Sequence, residues 1–329
     1  MPLMKYRLLG RSGVEVSEIG IGTWAMGSDW GEQPVETSIA AIHEALDCGS
    51  NFIDTAAGYG DGRSEQVIAK ALAERGKESV FVATKIHPVM PGEWPPSPYC
   101  LIEERYPIDY LEKSLEQRLR NLKTDTIDLL QLHTWTRAWN ENPVALEWLQ
   151  QKKKEGKVRL VGISTPEHDQ NSMIDLMRTG LVDTVQIIYN LFEQEPAAEL
   201  LPVAEETGTG VIVRVALDEG SLAGKFTTDR AFSPGDFRNR YFEGDRLTRT
   251  IGRIDRIKKI LEGSDYDIRQ AALRFVLDHS AVSTVIVGVR NPQQAGENMA
   301  ISDMERLPLE IVEKLRKFNW AKGFWYSGK

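Results

Sequence analysis

Asp54, Tyr59, Lys85 and His133 each stand at or just beyond the end of a short apolar or β-branched run. The runs read Asn51-Phe52-Ile53-Asp54, with Tyr59 following in Ala57-Gly58-Tyr59-Gly60, then Val82-Ala83-Thr84-Lys85 and Leu129-Leu130-Gln131-Leu132-His133. A phenol, an ammonium, a carboxylate and an imidazole gathered at one place can deliver a proton to a carbonyl oxygen. A free tyrosine, with a pKa of about 10, is too weak an acid near neutrality. A neighbouring ammonium favours the phenolate and lowers that value, which is the role open to Lys85. A buried lysine tends to lose its own proton unless a carboxylate holds it charged, which is the role open to Asp54. His133 can hydrogen-bond the carbonyl and orient it. Taken singly, each residue has a blander reading as a helix cap, a packing tyrosine, a surface lysine or a core histidine. Four such residues at the ends of successive strands are much harder to obtain by chance. The one component missing is a hydride donor.

The elements that must position these residues follow a repeat. Strands are expected at residues 19–23, 51–54, 80–85, 127–133, 158–164, 184–189, 211–216 and 284–288, eight in all. Amphipathic helices are expected at 36–46, 63–74, 110–122, 143–155 and 269–279. The strands read as continuous apolar runs, which is the pattern of parallel strands buried on both faces. Eight of them alternating with helices predict a closed (β/α)8 barrel covering residues 1–329 as one domain. The rival, an open doubly wound sheet, would show a glycine fingerprint after its first strand. Ahead of the barrel, residues 6–9 and 14–16 flank Gly10-Arg11-Ser12-Gly13 and predict a hairpin. In a barrel the four strand ends meet at one mouth, with neighbouring strands roughly 5 Å apart. Long segments at 87–107 and 217–247 are expected as mouth loops, and 309–329 as a terminal helix with an aromatic tail holding Trp320, Phe324, Trp325 and Tyr326.

Composition narrows the class. A net charge of −8 argues against nucleic acid as a partner. Two cysteines, Cys48 and Cys100, make neither a disulfide framework nor a metal set. Residues 1–5 lack the pattern of a leader and no apolar run reaches the length of a membrane span, so a cytoplasmic protein with no membrane partner is expected. The histidines, His43, His87, His133, His168 and His279, form no closely spaced pair, which weakens a metal-dependent hydrolase on the same barrel and leads us to expect no metal.

The motifs Ile53-Asp54-Thr55-Ala56-x-x-Tyr59-Gly60, Ala83-Thr84-Lys85 and Leu130-Gln131-Leu132-His133 resemble those of the aldo-keto reductases. The likeness runs from the hairpin before Gly20-Ile21-Gly22-Thr23-Trp24 to Gly288-Val289-Arg290 and Asn298, nearly the whole chain. It implies a barrel whose bottom is plugged by the N-terminal hairpin, and reduction of aldehydes or ketones by a nicotinamide cofactor, usually NADPH, with NADH possible. It implies Tyr59 as the acid, Lys85 and Asp54 as its tuners, and His133 as the residue that orients the carbonyl. It also implies backbone contact to the cofactor from Gly22 and Thr23, and a substrate-pocket wall from Trp24 beside Tyr59 and His133.

The remaining cofactor contacts are expected at strand ends and in the last two mouth loops. Ser164 and Gln186 offer the donors and acceptors that a carboxamide needs, and Tyr189 offers a flat face. Gly220-Ser221-Leu222-Ala223-Gly224-Lys225 can present backbone N–H groups to a pyrophosphate, with Ser221, Leu222, Gly224 and Lys225 as contacts. After the eighth strand, Gly288 and Arg290 are expected at the cofactor, Arg290 as a fork for a 2′-phosphate, with Gln294 and Asn298 near the adenine. The sequence departs from the family pattern at Thr165, where asparagine is usual, and at Arg214-Val215-Ala216, where many members carry an aromatic followed by Ser-Pro. Asp218 and Glu219 bring negative charge close to the expected pyrophosphate site. Against the enzyme stands a reading from another class, a cofactor-binding sensor or accessory subunit with little turnover. The physiological substrate and the oligomeric state are not legible.

Overall fold

The computed structural model describes residues 3–28, 31–76, 79–90 and 92–320. Phe324, Trp325 and Tyr326 lie outside the described residues. A hairpin, β1 (Tyr6–Leu8) with β2 (Glu15–Ser17), precedes eight parallel strands: β3 (Ile19–Gly22), β4 (Phe52–Asp54), β5 (Phe81–Ile86), β6 (Ile127–Leu132), β7 (Val158–Ser164), β8 (Thr184–Ile188), β9 (Gly210–Arg214) and β10 (Val282–Gly288). They pair in chain order and β10 closes onto β3, so the sheet is a closed barrel. The predicted (β/α)8 architecture stands, with strand limits within two residues of those read from the pattern.

The apolar runs are continuous because each strand buries two faces. Ile53, Val82, Leu130, Val161, Val185 and Val213 face the surrounding helices in the main core. Their neighbours Phe52, Phe81, Ala83, Leu129, Leu160 and Ile212 fill the barrel interior, joined there by Leu9 and Val16 of the hairpin. The hairpin therefore plugs the barrel from its amino-terminal end. Gly10 makes this possible: its φ is +55°, and a Cβ there would lie 2.3 Å from Gly210 N.

The five expected helices form, the first as Val35–Asp47 and the last as Ile268–Leu277. Ile174–Thr179, Leu200–Thr207 and Arg246–Leu261 are additional. The last of these begins inside the stretch read as a loop. Its buried Leu247, Thr250, Ile254, Ile257 and Leu261 follow helical spacing, but arginines and lysines crowd the stripe. Behind the barrel wall, the outward-facing Thr84 hydroxyl donates to Glu65 Oε1 at 2.7 Å, while Arg118 Nε and Asn121 Nδ2 each donate to Glu65 Oε2 at 2.7 Å. That buried network fastens two helices directly behind Lys85.

Candidate active site

Along five of the strands the inward side chains change from apolar to polar toward the carboxyl end. Phe52 is followed by Asp54, Ala83 by Lys85, Leu129 by Gln131 and then His133, Leu160 by Gly162 and Ser164, and Ile212 by Arg214. The period of two in a strand puts alternate residues on one face, so the polar layer is stacked directly above the apolar one. It forms the floor of a cavity of about 710 Å³ at the carboxyl ends of the strands, a size suited to a small-molecule site.

In that floor Lys85 Nζ lies 2.5 Å from Asp54 Oδ1 and donates to Thr55 O at 2.9 Å. Gln186 Nε2 donates to Asp54 Oδ2 at 2.8 Å, and Gln131 Nε2 reaches it at 3.4 Å. Burial pushes the Lys85 ammonium down and the Asp54 carboxyl up; the contact between them opposes both shifts. The Tyr59 ring stands over this pair, its centroid 5.2 Å from Lys85 Nζ. The turn carrying Tyr59 is tied to β5 by Ala57 N donating to Lys85 O at 3.0 Å. The His133 ring meets the Tyr59 ring at 5.9 Å and 74°, and Trp24 lies 6.2 Å from Tyr59 on the other side. The four residues singled out in the sequence thus converge on one mouth.

The His133 imidazole is buried and its pKa is held well below the ordinary value, first by burial and then by the charge of Lys85. It is neutral at physiological pH. A neutral buried imidazole that would protonate in the unfolded chain makes folding less favourable as pH falls. The loss begins near the ordinary pKa of 6.5 and approaches about 1.4 kcal/mol per pH unit. A His133→Gln variant is therefore expected to lose less stability than the wild type between pH 7.5 and 5. Urea-unfolding midpoints across that range measure it, and parallel pH profiles would refute the assignment.

The cavity also contains residues that the sequence reading left out of the site. His87, two residues beyond Lys85 on the inward parity, has its ring 5.2 Å from that of His133 and stacks at 4.9 Å on Trp94. Its Nδ1 lies 3.2 Å from Pro88 O; a carbonyl only accepts, so Nδ1 carries the proton and Nε2 is left as an acceptor. Glu167 and Arg214 line the wall near Ser164 and Gln186, while Phe237, Arg240, Tyr241 and Arg246 come from the segment between β9 and the end of the first turn of helix Arg246–Leu261. Phe237 reaches across β10 to Trp24 at 5.3 Å, so the loops after β9 and β3 touch. Strand parity could have flagged His87 and Arg214; no local signal marks Phe237.

Of the residues expected at the cofactor, Gly22, Thr23, Trp24, Asp54, Ser164, Gln186 and Gly288 line the cavity. Tyr189 does not: its ring packs on Phe275 at 5.7 Å and on His279 at 6.1 Å, in the layer between barrel and helices. Gln186 points inward, so a residue three positions later points outward; a stacking role for Tyr189 is corrected on that ground. Ser221 and Leu222 are buried beside the cavity, Ser221 Oγ donating to Asp218 Oδ2 at 2.7 Å, and Gly224 and the exposed Lys225 follow them. Asp218 also accepts from Tyr241 OH at 2.7 Å, which directs its charge into the protein. Arg290 Nε donates to Gln33 Oε1 at 3.0 Å and its backbone N–H to Gln294 Oε1 at 3.0 Å; Asn298 is buried with Oδ1 accepting from Arg269 Nη1 at 3.0 Å. These three adjoin the site beyond Gly288 but do not line the cavity. Trp94 lines the cavity, whereas Trp135 and Phe192 are in the main core and Tyr99 is 94% exposed.

The donor set and shape suit a nicotinamide. Gly22 and Gly288 are paired in register and both face the cavity. A Cβ on Gly288 would meet nothing within 4 Å and one on Gly22 nothing closer than 3.5 Å. Packing within the protein therefore does not demand glycine at either position, and the pair leaves bare backbone facing the cavity.

The aldo/keto reductase family model matches residues 18–319. The chain is 33% identical over 302 residues to aldo-keto reductase YhdN of Bacillus subtilis, covering 88% of this chain and 86% of that protein. It is 29% identical over 332 residues to the NADH-specific methylglyoxal reductase of Escherichia coli, covering 95% and 100%. Among solved structures, the glycerol dehydrogenase AKR11B4 from Gluconobacter oxydans superposes with a TM-score of 0.75 at 29% identity, covering 95% of this chain and 94% of that one. The chain belongs to the aldo/keto reductase family. It is an NAD(P)H-dependent oxidoreductase acting on small-molecule carbonyl compounds.

Proposed function

We propose that this enzyme reduces small aldehydes or ketones with NADPH, and that Tyr59 is the general acid. A bound nicotinamide cofactor supplies the hydride; the chain's own residues do the rest. Tyr59 gives its proton to the carbonyl oxygen as that oxygen gains charge. Lys85 stabilises the phenolate left behind, and Asp54 keeps Lys85 charged despite its burial. His133, neutral, holds the carbonyl oxygen by a hydrogen bond. The observation carrying this reading is the position of the Tyr59 ring, 5.2 Å from a lysine that is itself salt-bridged at 2.5 Å to a buried aspartate. Gly22, Thr23, Trp24, Ser164, Gln186 and Gly288 hold the nicotinamide end; Ser221, Leu222, Gly224 and Lys225 flank the pyrophosphate; Arg290, Gln294 and Asn298 lie toward the adenosine. The NADPH assignment rests on the Arg290 guanidinium as a partner for a 2′-phosphate. The two free thiols, Cys48 and Cys100, support the reading of a cytoplasmic enzyme.

The test is steady-state oxidation of NADPH and of NADH with a panel that includes methylglyoxal, glyceraldehyde and 4-nitrobenzaldehyde. Turnover with NADPH at lower KM than with NADH is expected. Absence of turnover with every carbonyl would overturn the proposal. The bare-backbone wall makes a separate prediction. Gly288→Val places two methyl groups toward the cavity from a Cβ that has no protein atom within 4 Å, so thermal stability is expected to stay nearly unchanged. The NADPH Kd, read by tryptophan fluorescence, is expected to rise at least about tenfold, or about 1.4 kcal/mol. An unaltered Kd would remove this wall from the cofactor site.

A further inference from the structure

Arg214 and Glu167 face the same cavity as Tyr59. Arg214 ends β9 on the inward parity, one pleat above Ile212, which belongs to the barrel interior. Its Nη2 donates to Thr165 O at 3.1 Å and approaches Glu167 Oε1 at 3.4 Å. The contact is single and long, unlike the parallel two-bond fork that a guanidinium forms with a carboxylate at its best. The side chains are 19% and 8% exposed. Arg214 Nε and Glu167 Oε2 are buried and have no hydrogen-bond partner among the described residues. The cation is therefore restrained by its acid without being fully satisfied by it. Its charge extends across the floor, since Arg214 is among the groups that depress both Lys85 and His133.

A permanent positive charge at this wall acts differently on the two states of a nicotinamide cofactor. In carbonyl reduction the dihydronicotinamide ring, which is uncharged, passes a hydride with its two electrons to the carbonyl carbon, and a proton goes to the oxygen. The cofactor is oxidised, the carbonyl becomes an alcohol, and the ring is left with a unit positive charge. We propose that Arg214, moderated by Glu167, selects the oxidation state of the cofactor: the site holds the reduced form more tightly than the oxidised form, and so favours carbonyl reduction and release of the oxidised product. The inference rests on the nicotinamide reading above and adds to it the direction in which the site is biased.

The experiment measures Kd for NADPH and for NADP⁺ by tryptophan fluorescence in wild type, Arg214→Met, Arg214→Lys and Glu167→Gln, with folding checked by circular dichroism. The quantity read is the ratio of the NADP⁺ Kd to the NADPH Kd. A unit charge several ångströms away in a partly buried site is worth a factor of about ten or more. Arg214→Met is therefore expected to lower the ratio about tenfold, Arg214→Lys to keep it within about threefold of wild type, and Glu167→Gln to raise it severalfold. Opposite movement in the two neutralising variants is the signature, because a pair that only shapes the wall would weaken both forms together and leave the ratio fixed. If Arg214→Met does not fold, Arg214→Gln replaces it with the same expected direction. A ratio unmoved in Arg214→Met, or moved the same way by the loss of either partner, overturns the inference while leaving the nicotinamide reading intact. Wild-type protein that binds neither form overturns both.

Discussion

Tyr59→Phe is expected to lower kcat for carbonyl reduction by about a thousandfold or more, with the Kd for NADPH within about twofold of wild type, the range set by the loss of a positioned general acid. The substitution removes one oxygen and keeps the ring that stacks beside Trp24 and meets His133. Packing at the mouth is therefore preserved while the phenol over Lys85 is lost. The neutral His133 cannot take over, because burial and the Lys85 charge keep its imidazole from holding a second proton. Single-turnover kinetics with saturating NADPH separate the chemical step from binding. Wild-type-like turnover in the variant would take Tyr59 out of the mechanism, and a matched rise in the NADPH Kd would make it a binding residue.

The second large effect is expected at Lys85. Replacing it by methionine leaves Asp54 buried, with the two glutamine amides as its side-chain partners among the described residues. Removing one member of a buried ion pair costs about 3–5 kcal/mol, because the charge left behind is uncompensated. The remedy open to Asp54 is to keep a proton, the direction in which burial already pushes it. A carboxyl whose folded pKa is raised is most stable below that pKa and loses stability as pH climbs through the window above its ordinary 3.8. The deficit of Lys85→Met is thus largest at neutral and high pH and narrows toward pH 5. Adding Asp54→Asn to Lys85→Met removes the stranded charge and is expected to recover most of the stability but none of the turnover. Urea unfolding at pH 8, 7 and 5 measures the first claim, and steady-state assays the second. Equal stability of the single and double variants would refute the account of the pair.

The same pair shows why the core of the site is legible in the sequence alone. Asp54, Lys85 and His133 are each fixed by a strand of the barrel, and a strand end is marked locally, by an apolar run that stops. Tyr59 follows within one turn of Asp54, so its placement is local too. Strand parity reaches further: it places His87 and Arg214 inward beside the tetrad, and with Gln186 pointing in it turns Tyr189 outward onto Phe275. Helix 246–261 is poorly marked in the sequence because its apolar stripe is interrupted by basic residues, although the spacing is present.

Which residues end which strands, and which face each occupies, follows from covalent geometry and the burial of two faces, and both are written in the order of the chain. Closure of the barrel is different in kind. The meeting of Phe237 with Trp24, the loose seat of Arg214 on Glu167, and the bare wall where Gly288 lies beside Gly22 are set by contacts between segments far apart along the chain. No periodicity encodes them, because each depends on how eight strands close and on how the loops above them pack.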